Sequence, residues 1–275
     1  MEYRDEMRLW GVEGLKLLPA VFLAISLYSV LELNCTILAT FRTWKSLYFW
    51  SLIVATNGIA PYAIGTLLMY ILQTDTPALN VPLIAIGLVS MVTGQSVVLY
   101  SRLHLLLCSE FCLRLVLAMI ILNAFILHVP TIVLLSGAGI NYNPDLIFAY
   151  GIYEKVQGAG FALQELIISG LYIKHALSFF SLRDCLNDNA TRKVRNHLIL
   201  VNILIIILDI TYVLLVALLA YELETTFRPF VYSIKLKMEL SILRNLGRLS
   251  REGRVARESS HNGADSGVCL NSYDD

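Results

Sequence analysis

Charge is what this sequence has least of. Asp, Glu, Lys and Arg make up 15% of 275 residues and hydrophobic ones 57%, against about 25% charged in ordinary soluble domains, which excludes a single water-solvated globule. The two signs cancel at 21 residues each, so no basic face for nucleic acid is expected. Catalytic signatures are missing as well. There is no Gly-rich phosphate loop, no Cys-x-x-Cys pair, no His-Glu-x-x-His and no Gly-x-Ser-x-Gly. His128 and His175 lack the neighbours that an intramembrane hydrolase would use, so no enzymatic activity is expected.

Cysteine is sparse too. Cys35, Cys108, Cys112, Cys185 and Cys269 all fall outside the loops placed externally below, which excludes an extracellular disulfide framework. His104, Cys108 and Cys112 are each four apart, so a helix brings neighbours together in pairs while the third ligand drifts away. With no fourth ligand nearby, neither a metal nor any other cofactor is expected. Cys108 and Cys112 read as reduced thiols or as acylation sites beside the membrane.

What is abundant is the long apolar run. A spanning helix needs about 20 mostly apolar residues, and six runs supply them: Leu17–Ala39, Ser46–Leu72, Pro82–Leu107, Leu113–Ser136, Ile152–Phe180 and Leu198–Tyr221. The first is too long for the apolar core of a cleaved signal peptide and is expected to stay as a helix. The fold class is therefore an all-α polytopic transmembrane bundle.

Lysine and arginine in short connections set the orientation. Arg42 and Lys45, then Arg102 and Arg114, then Lys174, Arg183, Arg192, Lys193 and Arg195 mark the first, third and fifth connections as cytosolic. The second and fourth hold only Asp75 and Asp145, so they and the N-terminal segment 1–16 lie outside. Six helices would then end outside, yet Arg244, Arg248, Arg251, Arg254 and Arg257 follow. A seventh crossing over Thr225–Leu243 resolves the conflict, with Phe227, Phe230, Val231, Ile234, Met238 and Ile242 at helical spacing. Lys235, Lys237 and Glu239 make it the costliest span, and a helix lying on the membrane surface is the rival reading. The bundle thus covers 17–243. Residues 244–275 read as a disordered cytosolic tail, whose arginines either meet anionic lipid on one helix face or simply retain the end inside. Glycosylation at the Asn189-Ala190-Thr191 sequon would invert this topology.

Within the runs lie polar residues: Glu32 and Asn34, Asn57, Gln95, Asn123, Gln164 with Glu165, and Asp209. Their burial in hydrocarbon is costly unless they are paired, so all are expected to face the bundle interior. Asn57 and Asn123 read as links between helices. Glu154, Gly158, Phe161, Glu165 and Tyr172 share one stripe of the fifth helix, with Gln157 and Gln164 beside it. Glu165 and Asp209, with Lys235 or Lys237, form the candidate ligand, ion or proton site, joined by Gln95 and Gln164. The alternative is a network that only specifies packing. Arg102 and His104 mark the cytosolic boundary. Arg102 is expected to reach out to phosphate, the other option being polar groups at the inner ends of neighbouring helices.

The segments Gly94-Gln95-Ser96-Val97-Val98-Leu99-Tyr100-Ser101-Arg102-Leu103-His104-Leu105, Gln164-Glu165-Leu166-Ile167-Ile168-Ser169-Gly170-Leu171-Tyr172 and Arg228-Pro229-Phe230-Val231-Tyr232-Ser233-Ile234-Lys235-Leu236-Lys237 resemble a family of fungal multispan membrane proteins. That resemblance covers most of 17–243 and implies no particular activity. In outline the chain is also similar to G-protein-coupled receptors, through seven helices and a basic third internal loop. Tyr100-Ser101-Arg102 stands where those receptors have acid-Arg-Tyr, without the acid, and their cysteine at the outer end of the third helix is absent. Lys235 is similar in place to the retinal lysine of microbial rhodopsins, but the third helix lacks their carboxylates.

Taken together, the sequence predicts a receptor-like plasma-membrane protein that senses a small or apolar ligand at the polar centre and signals to a cytosolic partner. A transporter or channel that moves ions or protons over the carboxylates is the alternative, and a structural membrane adaptor a third. The lipid bilayer is the partner common to all three.

Overall fold

The computed structural model describes residues 2–41, 46–71, 76–106, 110–141, 144–183, 189–218 and 224–244. The first six helices are α1 (Glu2–Thr40), α2 (Leu47–Thr66, continued by a π-helical turn Leu67–Ile71), α3 (Pro77–Leu106), α4 (Glu110–Asn141), α5 (Pro144–Arg183) and α6 (Asn189–Leu218). Residues 224–244 form a further helix, α7. No strand occurs among the described residues. Six helices, α1 to α6, carry stretches long and apolar enough to cross a membrane, and the chain is a polytopic helical bundle.

Neighbours in sequence are neighbours in space from α1 through α6, and α3 also reaches α5 across the bundle. The outward surface is the lipid-facing one. On α4, Leu115, Leu122, Phe125, Ile126, Val129 and Val133 are all exposed, an apolar face that suits hydrocarbon rather than water.

The tightest packing joins α2 to α3, because small residues let their backbones meet. A Cβ placed on Gly58 would lie 2.6 Å from the Met91 nitrogen, and one on Gly94 2.8 Å from Ala55 Cα. Gly170 is the opposite case, with nothing within 4 Å of an added Cβ. Gly170→Ala should therefore stabilise α5 by up to about 1 kcal/mol through helix propensity alone, read as a raised thermal midpoint of the purified protein.

The α7 helix stands upright within the bundle. Tyr48 of α2 donates to the Glu239 carbonyl at 3.3 Å, and Tyr62 to the Thr225 carbonyl at 3.3 Å. The contacts are 14 residues apart on both helices, about 21 Å of rise, so α2 and α7 run antiparallel over nearly their whole lengths. Leu236 and Leu240 of α7 are buried in the main apolar core beside Leu33, Ile37, Tyr48 and Leu52. Phe22 of α1 packs on Phe227 and Phe230, with ring centroids 5.2 and 5.1 Å apart. This arrangement does not fit a helix lying flat on the membrane.

The expected inward placement needs correction at two residues. Glu32 and Asn57 face outward, where each meets a neighbour on another helix: Lys237 Nζ donates to Glu32 Oε2 at 2.7 Å, and Asn34 and Asn57 exchange amide hydrogen bonds of 3.3 and 3.2 Å. Pairing lowers the penalty that was expected to drive them inside. The N-terminal segment, from Glu2 to Lys16, continues the α1 backbone helix. The tail beyond Arg244, Arg42 and Lys45, Cys108, Cys185 and Cys269 lie outside the described residues, while the Asn189 sequon opens α6.

Candidate functional site

The α7 helix gathers the buried charge of the protein. Glu224, Arg228, Lys235 and Glu239 are spaced by four, seven and four, which places them on one helix face, and each is at most 2% exposed. They divide into three tiers along the bundle.

At one end, Arg228 pairs with Glu154 of α5 at 3.1 Å and with Glu224 one turn back at 3.5 Å. Its Nε donates to the Tyr212 hydroxyl of α6 at 2.9 Å. A Cβ on Gly158 would come within 2.9 Å of that hydroxyl, so the glycine on α5 makes the space Tyr212 occupies. Nearby, the His128 ring contacts Thr93 and Gln157, each at 3.0 Å, and packs on Phe161. If the Gln157 amide nitrogen donates to Nδ1, Nε2 carries the hydrogen given to Thr93.

The middle tier is a triad. Lys235 Nζ donates to Glu165 Oε2 at 2.8 Å and is ion-paired with Asp209, so one cation bridges α5 and α6. Tyr232, one turn back on α7, donates to Glu165 Oε1 at 3.3 Å. All three charged groups are no more than 1% exposed. Fully ionised, one lysine and two carboxylates leave a net charge of −1, in a medium where isolated charge is expensive.

At the other end, Arg102 of α3 is paired with Glu239, and its guanidinium lies 4.4 Å over the Tyr172 ring of α5. Arg102 is 5% exposed, so it turns inward to a carboxylate instead of snorkelling to phosphate. A buried acid on the facing helix offers it both charge and a fixed acceptor.

The remaining candidates are placed differently. Gln164 bridges α4 and α3, accepting from Asn123 at 2.8 Å and donating to Ser96 at 2.9 Å. Among the described residues it makes no hydrogen bond to the triad. Gln95 is fully buried, with neither amide atom partnered among the described residues. It lies seven residues before Arg102, as Tyr232 lies seven before Glu239, which by helical register puts it level with the triad. His104 is exposed beside Tyr100, with ring centroids 6.5 Å apart, and joins no tier. Of the two candidate lysines only Lys235 enters the centre. The 200° between it and Lys237 on a helix sends the latter to Glu32 at the surface.

Sequence reasoning placed Glu154 on the inward stripe but gave Arg228 and Glu224 no role. The signal was the spacing of opposite charges on α7, readable only once that segment is taken as a helix inside the bundle. Among the described residues no cluster of His, Cys, Asp and Glu is suited to hold a metal.

The tiers can hold charge in a membrane interior, and in two of them acid outnumbers base. Comparison with curated proteins and with solved structures gives no match. The model of a family described as a domain of unknown function, DUF7703, matches residues 14–256, and this integral membrane protein belongs to that family.

Proposed function

We propose that the protein moves protons, alone or coupled to a solute, across the membrane through the Glu165–Lys235–Asp209 triad, with α7 as its seventh crossing. The observation that carries this reading is a single buried lysine shared by two carboxylates from different helices. In low dielectric the excess negative charge is relieved by a bound proton, so the triad is a proton site, and intramembrane carboxylates of this kind mark proton and ion paths. Tyr232 and Tyr212 lie between the triad and Arg228, while Arg102 and Glu239 continue the charged face toward the opposite end.

Purified protein in liposomes, with a trapped pH dye and an imposed membrane potential, should acidify or alkalinise the lumen faster than empty vesicles. Asp209→Asn and Glu165→Gln should each return the rate to the empty-vesicle background. Wild-type protein that never exceeds that background would sink the proposal.

One observation favours a receptor-like second reading. The Arg102–Glu239 pair ties α3 to α7 at the end read as cytosolic, where a latch would couple the polar centre to a cytosolic partner. Release of the latch on ligand binding would follow if each state made different contacts with that ligand. Glu239→Gln should then raise partner engagement, read as increased co-purification of the cytosolic partner.

A further inference from the structure

Buried polar atoms without a hydrogen bond among the described residues occur on both sides of the triad. Toward Arg228, Gln157 Oε1 and the oxygens of Glu154 and Glu224 are among them, although each of those side chains keeps one protein contact, the two acids to Arg228 and Gln157 to His128. Between the triad and Arg102, three whole side chains have none. Asn202 on α6 is fully buried and neither of its amide atoms has a partner among the described residues; the same holds for the hydroxyl of Ser169 on α5 and for both amide atoms of Gln95.

These groups lie in sequence along the bundle. Asn202 is seven residues from Asp209 on α6, on nearly the same face and about 10 Å closer to the Arg102 end. Ser169 falls between Glu165 of the triad and Tyr172, which stacks on Arg102. Gln95 is level with the triad itself. Three elements thus direct unmatched donors and acceptors into the stretch between the middle tier and the Arg102 tier. An unpartnered buried amide is costly, and the recurring remedy in folded proteins is ordered water bonded to two to four such groups.

We infer that the stretch between the triad and the Arg102–Glu239 pair is a water-binding site, an internal aqueous file held by Gln95, Ser169 and Asn202. It extends from the triad toward the Arg102 end. The inference rests on the proton-transport reading for its purpose, since water there lets a hydronium pass its proton to a triad carboxylate and leave as neutral water. In this conformation the triad exchanges protons with the side read as cytosolic.

The test is water access, measured separately from flux. Asn202→Cys and Ala162→Cys are made in the full chain and incorporated in nanodiscs, where both faces are open to solvent. Ala162 is equally hidden, at 2% exposure, and packs in an apolar cluster with Tyr212 and Val216. A small cationic methanethiosulfonate is applied, and modification is followed residue by residue by peptide mass spectrometry. Because it is the hydrated thiolate that attacks the reagent's sulfur and expels sulfinate, the cysteine at 202 should react at least about tenfold faster than that at 162. Equal, slow reaction at both would overturn the inference. If Asn202→Cys does not accumulate, Ser169→Cys, which changes one atom, gives the same comparison. Labelling without proton flux would sink the transport reading and keep the aqueous file, whereas flux without labelling would do the reverse.

Discussion

Lys235→Met should leave little folded protein. The substitution keeps the length of the side chain but strands Glu165 and Asp209 beside each other, both fully buried, and removing one partner of a buried ion pair costs about 3–5 kcal/mol. With two acids sharing the lysine, the loss should sit at the upper end of that range, read as a collapse of the monodisperse peak on size-exclusion chromatography and a lower thermal midpoint. The decisive control is the triple variant Lys235→Met, Glu165→Gln, Asp209→Asn. It removes the stranded charge and should recover most of the lost stability while staying inactive in proton flux. If the single variant were as stable as wild type, the triad would not be the buried charge centre described above.

Gly87→Leu should be comparably severe for a different reason. A Cβ on Gly87 would lie 2.7 Å from Tyr62 Cα, against backbone that has no rotamer with which to yield. Overpacking in a tight core typically costs about 1–3 kcal/mol, and more when backbone must move. Here α2 would have to shift away from α3, pulling Tyr62 from the Thr225 carbonyl at the start of α7. The expected result is a large fall in thermal midpoint for Gly87→Leu, a smaller one for Gly87→Ala and none for Gly170→Ala. A ranking in which Gly170 and Gly87 behave alike would contradict the close α2–α3 approach.

Hydropathy made α1 to α6 legible because a bilayer accepts only long apolar helices or closed barrels, and six runs of spanning length leave little freedom. The helix over 224–244 was legible by another route, the conflict between loop charges on either side of it. Its upright position could not be read from composition, since Arg228, Lys235 and Glu239 look like a surface helix until their partners on other helices are known. The same limit applies to the site. Glu165, Asp209 and Lys235 stand out in sequence because charge is rare within spans. Which lysine turns inward depends on the rotation of α7, which no local pattern specifies. Arg102 illustrates the converse: position alone suggested lipid phosphate, and a carboxylate 137 residues away captured it instead. Glu32 was placed wrongly because an ion-pair partner, Lys237, made the surface tolerable.

The burial of four ionisable groups on one face of α7 also bears on how the protein is made. A lysine or arginine at the centre of a membrane helix opposes insertion by about 2.5–3.5 kcal/mol on the biological insertion scale, and α7 carries Arg228 and Lys235 together with Glu224 and Glu239. Alone, such a segment is a poor substrate for lateral release into lipid. Its counter-charges, Glu154, Glu165, Asp209 and Arg102, all belong to α3, α5 and α6, which are synthesised earlier. During biogenesis the nascent α7 therefore needs a waiting cradle, so assembly is ordered and the last helix is seated only after α3, α5 and α6 are in place.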